Sequence, residues 1–332
     1  MNEYIAITKN TLIENTKIEF DLFLRSDIRG RSQYILFCRG NEQFSQQRKG
    51  ELLNRNIQRL YISTKDTDKY LRYQEKNLKQ IIEDSSKDSL EKSGVLYQVA
   101  ENITKEILDD PKSGQNIERA SEWVSNTVQH IVQDENTFYS LFTVTSQNYQ
   151  LYTHSINVSV IGLLFGKYLS LKPHELDCLG TGLLLHDIGM ATISPDVINN
   201  SNKLTREELD VIRRHPKAGL ELLEQRGNID GLSLKVVIQH HENHDGTGYP
   251  YGIGEGDIHL FGSISRIVDA YDAMTSNKGY ADAMTPFAAL AEMKSKKENF
   301  FNKELLKEFI CFLGPKDSHN KSKLYNPSSL AE

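Results

Sequence analysis

Residues 180–190 read GTGLLLHDIGM. A small and apolar run ending on an adjacent histidine and aspartate describes the buried end of a helix, with Gly189 placed to terminate it. An aspartate in such a place is costly unless it meets a cation or a set of donors, so His186 and Asp187 need partners from elsewhere in the chain. By itself the dipeptide is a weak signal, and the neighbouring segments decide the reading.

Upstream, LYTHSINVSVIGLLF (151–165) repeats apolar residues at helical spacing with His154 inside the pattern. Downstream, Thr205 and Glu208 form a T-x-x-E capping box. The helix they start should end near His215, because Pro216 pushes the residue before it away from α geometry. His240 and His241 close the apolar run LKVVIQ (234–239). Successive helical residues point about 100° apart, so this pair could face two neighbouring metals. In SISRIVDAYDAMT (263–275), Asp269 and Asp272 lie one turn apart on one face of an otherwise apolar helix. Together these segments offer five imidazoles and the carboxylates of Asp187 and Asp269, a mixed nitrogen and oxygen set suited to iron, manganese or zinc and not to calcium. Asp187 is the natural bridge, since a carboxylate can present one oxygen to each metal. A metal pair of this kind lowers the pKa of water, polarises a phosphoryl group and absorbs developing charge, and phosphoester hydrolysis is the reaction it serves best.

The rest of the chain frames this region. Its 332 residues, 38% hydrophobic and 25% charged, predict a soluble protein of two domains. A net charge of −6 argues against a binder of nucleic-acid polymers. Cys38, Cys178 and Cys311 are too scattered for a disulfide framework, and MNEYIAITKN shows no signal peptide. Apolar runs such as Val158 to Phe165 are too short to span a bilayer, so no membrane anchor is expected and the predicted location is cytoplasmic.

At the N-terminus, IEFDLFL (18–24), QYILFC (33–38) and RLYIS (59–63) read as strands, SDIRGRS (26–32) as a turn and residues 43–55 as a short helix. The expected organisation is mainly α: a small α/β regulatory domain at 1–66, linking helices at 67–133, a helical metal phosphohydrolase domain at 134–313, and a flexible tail at 314–332. The charged helix after Thr67 could serve as a homodimer contact or as a solvated connection.

The order and local context of the chemical residues resemble the HD-GYP family, a branch of the HD phosphohydrolase superfamily that hydrolyses cyclic di-GMP. LLHDIGM looks like HDxGK, LTREELDVIRRHPKAG like the family's capping-box helix and H-P-x-x-G, and HHENHDGTGYPYGIGEGDI like HHExxDGxGYPxGLxGxxI. IVDAYDAMTSNKGY is similar to D-x-x-D-A-[ML]-T-s-x-R-p-Y. The resemblance spans residues 150 to 281 and implies a helical HD-type bundle.

It further implies metal ligands at His154, His186, Asp187, His215, His240, His241 and Asp269, with Asp187 also catalytic. Tyr249, Asp272 and Lys278 would contact substrate, and Met190 stands at a substrate-binding position. Two metals are implied, iron first and manganese next, with a hydroxide bridging them to cut the dinucleotide to pGpG and then GMP. Gln150 replaces the glutamate that holds a third metal in some members. Met190 stands where the family has lysine, at a cost in rate on the order of 10²-fold or more. Lys278 replaces arginine, keeping charge and losing the bidentate fork, and Ala281 replaces a basic residue. These departures support alternatives in which the chain is a weakly active cyclic di-GMP sensor, or a hydrolase of a related dinucleotide such as cyclic GMP-AMP. The DGTGYP loop (245–250) is a candidate surface for a protein partner. His174, His244 and His259 have no motif partner and read as surface or structural.

Overall fold

The computed structural model describes residues 3–28, 31–134, 136–145, 150–198, 205–225, 228–277, 282–296 and 298–314. Its backbone separates into two compact units, 1–102 and 103–332. The first combines strands with short helices and the second is helical. Among the described residues no helix is long and apolar enough to cross a membrane.

The first unit is built on strands β1 (Tyr4–Thr8), β2 (Thr16–Lys17), β3 (Leu22–Ile28), β4 (Arg31–Cys38), β5 (Gln43–Phe44) and β6 (Arg59–Ser63). Four of them form an antiparallel sheet in the order β1-β6-β3-β4, and β2 pairs with β5. The strand expected at 18–24 starts only at Leu22 and runs on through half of the expected turn, where Ser32 and Arg25 bond the Asp27 carboxylate across and along the hairpin. Ile18 and Phe20 are nonetheless buried, so their alternation reported burial and not strand pairing. Helix α1 (Gln46–Asn54) starts at Ser45, whose hydroxyl accepts from the Arg48 amide.

Two helices follow, α2 (Thr67–Lys76) and α3 (Leu78–Glu83). Tyr70 and Tyr73 of α2 join the core of Ile18, Phe20, Phe44 and Leu60. The Tyr73 hydroxyl accepts from the Ile13 amide and bonds Thr16. The charged helix after Thr67 is therefore half core, and the two tyrosines one turn apart are the reason.

The second unit begins within α4 (Ser89–Asp109) and continues through α5 (Gly114–Gln133), α6 (Thr137–Val144), α7 (Leu151–Tyr168), α8 (Pro173–Leu185) and α9 (Pro195–Ile198). It closes with α10 (Arg206–Ile212), α11 (His215–Glu224), α12 (Gly231–Gln239), α13 (Leu260–Thr275), α14 (Pro286–Lys296) and α15 (Lys303–Phe312). Helix α7 is buried on every side from Thr153 to Gly166, as its all-round apolar sequence requires. Helices α8 and α13 pack against it, and α12 packs on both of these. Helix α5, expected as a linker, buries Trp123 and Val124 and packs along α7 and α8. The expected tail lies outside the described residues from 315 onward.

Candidate metal centre

Each of the expected ligands sits at a helix end or on a buried helix face. His154 lies in the first turn of α7, where the Thr153 hydroxyl accepts from the Gln150 amide. Gln150 is the exposed N-cap of that helix. His186 caps the C-terminus of α8, and Asp187 leads into a single 3-10 turn, Ile188–Thr192. His215 opens α11 instead of ending the helix from Arg206. That helix stops at Ile212, and Pro216 sits in the first turn of the next, the position where a missing N–H costs nothing. His240 caps α12, and Asp269 and Asp272 lie on α13.

Long-range packing brings these residues together. Ligand atoms of Asp187, His215, His240 and His241 lie within 4.8 Å of one another, as do those of His154, His186 and Asp269. The Asp187 carboxylate stands between the two groups. Its Oδ1 is 3.1 Å from His215 Nε2 and 3.7 Å from His240 Nε2, while Oδ2 is 3.4 Å from His186 Nε2 and 4.0 Å from His154 Nε2. His154 Nε2 is 3.1 Å from Asp269 Oδ1, and His241 Nδ1 is 3.8 Å from Asp269 Oδ2. Ligand atoms of His240 and His241 fall in the same group, and His241 also approaches Asp269 of the other.

Hydrogen bonds around the rim set the tautomers. In His186, His215 and His240, Nδ1 donates to the carbonyl three residues back, of Leu183, Ile212 and Val237, at 2.6, 2.7 and 2.9 Å. In the neutral rings this leaves Nε2 as a bare lone pair facing inward. Two of these lone pairs, on His215 and His240, are only 3.0 Å apart, and the buried His186 Nε2 has no hydrogen-bond partner. Lone pairs converging in a buried space repel unless a cation lies among them, so the donor set fits a metal.

The electrostatics divide the histidines: burial acts downward on His186, but the Asp187 carboxylate outweighs it and raises the imidazole. Burial favours neutral imidazole and lowers His240 to about 4, with His186 and His215 adding to the effect, and it pushes His241 down as well. For Asp187 and Asp269 burial acts upward but is outweighed by the surrounding histidines, which hold both well below the usual carboxylate range. At His154 burial acts downward but hydrogen bonds to Asp269 and Asp272 win, raising it to about 10.

Asp272, expected at the substrate, is buried with both oxygens engaged. Oδ2 accepts from His154 Nδ1 at 2.7 Å and Oδ1 from Asn157 Nδ2 at 3.0 Å. It orients His154 and makes its ring more basic. Asn157, one turn beyond His154 on α7, went unnoticed in the sequence although the three-residue spacing marks it.

Glu242 is fully buried, and its Oε1 accepts from the Tyr251 amide at 2.7 Å, closing the loop after the histidine pair back on its own start. That loop packs tightly. A Cβ on Gly248 would lie 2.2 Å from the Asn243 amide nitrogen, and Tyr249 N donates to His241 O at 3.1 Å. The Tyr249 ring lies over His241 at a centroid distance of 4.6 Å, with the Arg213 guanidinium 5.8 Å from its own centroid. Met190 is half-buried in the 3-10 turn after Asp187. Lys278 and Ala281 lie outside the described residues. His259 caps α13, its Nδ1 accepting from the Phe261 amide, and His244 lies 3.5 Å from Glu255.

Residues 143–305 match the family model described as "HD domain". The chain is 27% identical over 229 residues to "Cyclic di-GMP phosphodiesterase PA4108" of Pseudomonas aeruginosa, covering 68% of this chain and 55% of that protein. It is 33% identical over 146 residues to "Cyclic di-GMP phosphodiesterase response regulator RpfG" of Xanthomonas campestris, covering 44% and 39%. It is 28% identical over 137 residues to "3'3'-cGAMP-specific phosphodiesterase 2" of Vibrio cholerae, covering 41% and 26%. The chain thus spans about half or less of the length of these relatives. Among solved structures, Bd1817, an HDG"Y"P protein from Bdellovibrio bacteriovorus, shares the fold at a TM-score of 0.63 and 20% identity, covering 92% of this chain and 98% of that one.

Proposed function

We propose, from the match of residues 143–305 to the HD-domain family model, that the protein is of the HD-GYP type and hydrolyses a cyclic dinucleotide, cyclic di-GMP first, to pGpG and then GMP. The observation that carries this reading is the Asp187 carboxylate, one oxygen toward each of two groups of inward-facing ligands. His154, His186 and Asp269 would hold one metal, and His215, His240 and His241 the other, with Asp187 shared. The mixed nitrogen and oxygen set suits iron, manganese or zinc, and the family resemblance puts iron first, then manganese. When bound, such cations lower the pKa of water, polarise the phosphoryl oxygen and offset the charge of the transition state.

The protein's own residues prepare this site. Backbone carbonyls of Leu183, Ile212 and Val237 keep three imidazoles in the ligating tautomer, and Asp272 does the same for His154. Tyr249, lying over His241 beside Arg213, is the aromatic surface for a base, and Lys278 is the cation for a phosphate. Anaerobic assay of the full chain loaded with iron or manganese tests the reading, with products separated by chromatography. Cyclic di-GMP left intact by both metal forms sinks it.

Met190 supports a second reading, a binder with little turnover, because no lysine follows the HD dipeptide. Met190→Lys separates the two: a silent parent that gains activity supports the sensor, and an already active parent refutes it. A substrate panel including cyclic GMP-AMP decides the dinucleotide.

A further inference from the structure

Away from the seven-residue constellation, His174, Cys178 and Asp230 bring ligand atoms within 4.8 Å of one another. His174 and Cys178 stand one turn apart on α8, with Cys178 Sγ 3.8 Å from His174 Nε2. Asp230 is the N-cap of α12. Its Oδ1 accepts from the Leu232 amide at 2.8 Å, and its Oδ2 lies 3.9 Å from His174 Nε2. We infer that these three side chains form a separate binding site for a soft divalent cation, zinc in the first place.

The donor chemistry selects the ion. A thiolate beside an imidazole suits zinc and excludes magnesium or calcium, and a carboxylate completes a three-residue set that leaves a fourth position for water. The distances agree as well. Tetrahedral zinc with bonds of about 2.0–2.3 Å sets nitrogen and sulfur about 3.6 Å apart and nitrogen and oxygen about 3.4 Å apart. The spacings of 3.8 and 3.9 Å are a few tenths wider, and the His174 side chain, 74% exposed, can close that gap by rotating.

The surroundings call for positive charge. Asp177 adjoins Cys178 and follows His174 by three residues, and its buried Oδ1 has no hydrogen-bond partner among the described residues. Burial, assisted by the negative charges of Asp230, Asp177 and Glu175, pushes the Cys178 thiol up to about 12. A cation reverses this: the S–H bond breaks, the proton passes to solvent, and the sulfur lone pair bonds the metal.

The position also suggests a use. His174 is in the first turn of α8 and Cys178 midway along it, and Ser233 in the first turn of α12 donates to the Cys178 carbonyl at 2.8 Å. The far ends of the same two helices carry His186, Asp187 and His240. A zinc ion would clasp the helices at the end opposite the candidate catalytic centre and make the stability of the helical unit depend on zinc supply.

Cobalt(II) titration of the metal-stripped full chain tests the proposal. A thiolate-to-cobalt charge-transfer band in the near ultraviolet should grow as cobalt is added, level off once this site and the two positions of the seven-residue centre are filled, and disappear on adding excess zinc. No sulfur ligand belongs to the seven-residue centre, so its filling produces no such band, and the result is independent of any hydrolysis assay. Cys178→Ser should abolish the band, whereas Cys38→Ser and Cys311→Ser should keep it. His174→Ala, on an exposed side chain, should weaken cobalt binding on the order of tenfold or more without disturbing packing. Absence of the band from the parent protein, its survival in Cys178→Ser, or unchanged affinity in His174→Ala overturns the inference.

Discussion

Replacing Gly189 by alanine should uncouple the HD turn from His215. A Cβ at Gly189 would lie 2.0 Å from the His215 carbonyl oxygen, 2.6 Å from the Gly219 amide nitrogen and 2.9 Å from the His215 carbonyl carbon. All three are backbone atoms, so no change of rotamer relieves the clash. Ordinary contact begins near 3.4 Å, so α11 must withdraw from the 3-10 turn by more than about 1 Å. His215 opens α11 with its Nε2 3.1 Å from Asp187 Oδ1, and metal ligation tolerates errors of only about 0.2 Å.

The expected result is loss of the metal shared by Asp187, His215, His240 and His241. It should come with destabilisation of about 1–3 kcal/mol or more, the usual cost of overpacking a rigid contact. Elemental analysis of the purified protein reads the first effect, and the melting temperature, falling roughly 2–4 °C per kcal/mol in a chain of this size, reads the second. Gly94→Ala is the control. Within α4 its Cβ would meet nothing within 4 Å, and it should stabilise by about 0.4–1 kcal/mol. A Gly189→Ala protein with parental metal content and melting temperature would refute the reasoning.

Asp272→Asn keeps the shape of the carboxylate but removes its charge from His154 Nδ1, and metal affinity should fall about 10–100-fold in a chelator competition with the fold intact. Glu242→Ala leaves the Tyr251 amide without its acceptor and should cost about 1–3 kcal/mol in denaturant unfolding; a neutral result would show that the loop is not held there. In the metal-free protein, the His240 pKa of about 4 lies below its unfolded value of 6.5, so its contribution is complete above pH 6.5 and is lost as pH falls toward 4. Asp187 and Asp269, also depressed, lose theirs on the same acid side. His154 has the opposite sign: raised to about 10, its contribution is complete below pH 6.5 and is lost as pH rises through 10. Melting temperature in chelator should therefore peak near neutrality, and a flat profile between pH 4 and 7 would contradict the burial of the neutral histidines.

The candidate ligand residues were legible because each belongs to a local pattern: a histidine at the end of an apolar run, a capping box before His215, two aspartates one turn apart. Helix periodicity is a short-range property, and the sequence displays it directly. Less of the N-terminal unit could be read. Strand β1 pairs with β6 more than fifty residues along the chain, beyond the reach of a local pattern, and Ile18 and Phe20 are buried outside any strand, because burial and ladder pairing impose the same alternation.

From the sequence alone came the mainly helical class, the seven candidate ligands, the lysine missing at Met190, and the family they resemble. Only the tertiary structure decided that His240 and His241 share a group, that Asp272 serves His154, that Asp187 stands between the groups, and that His174 has Cys178 and Asp230 for neighbours. The reason is physical. A helix fixes which side chains share a face within a few residues, whereas which oxygen meets which imidazole depends on how α7, α8, α11, α12 and α13 pack, a consequence of contacts between residues far apart in the chain.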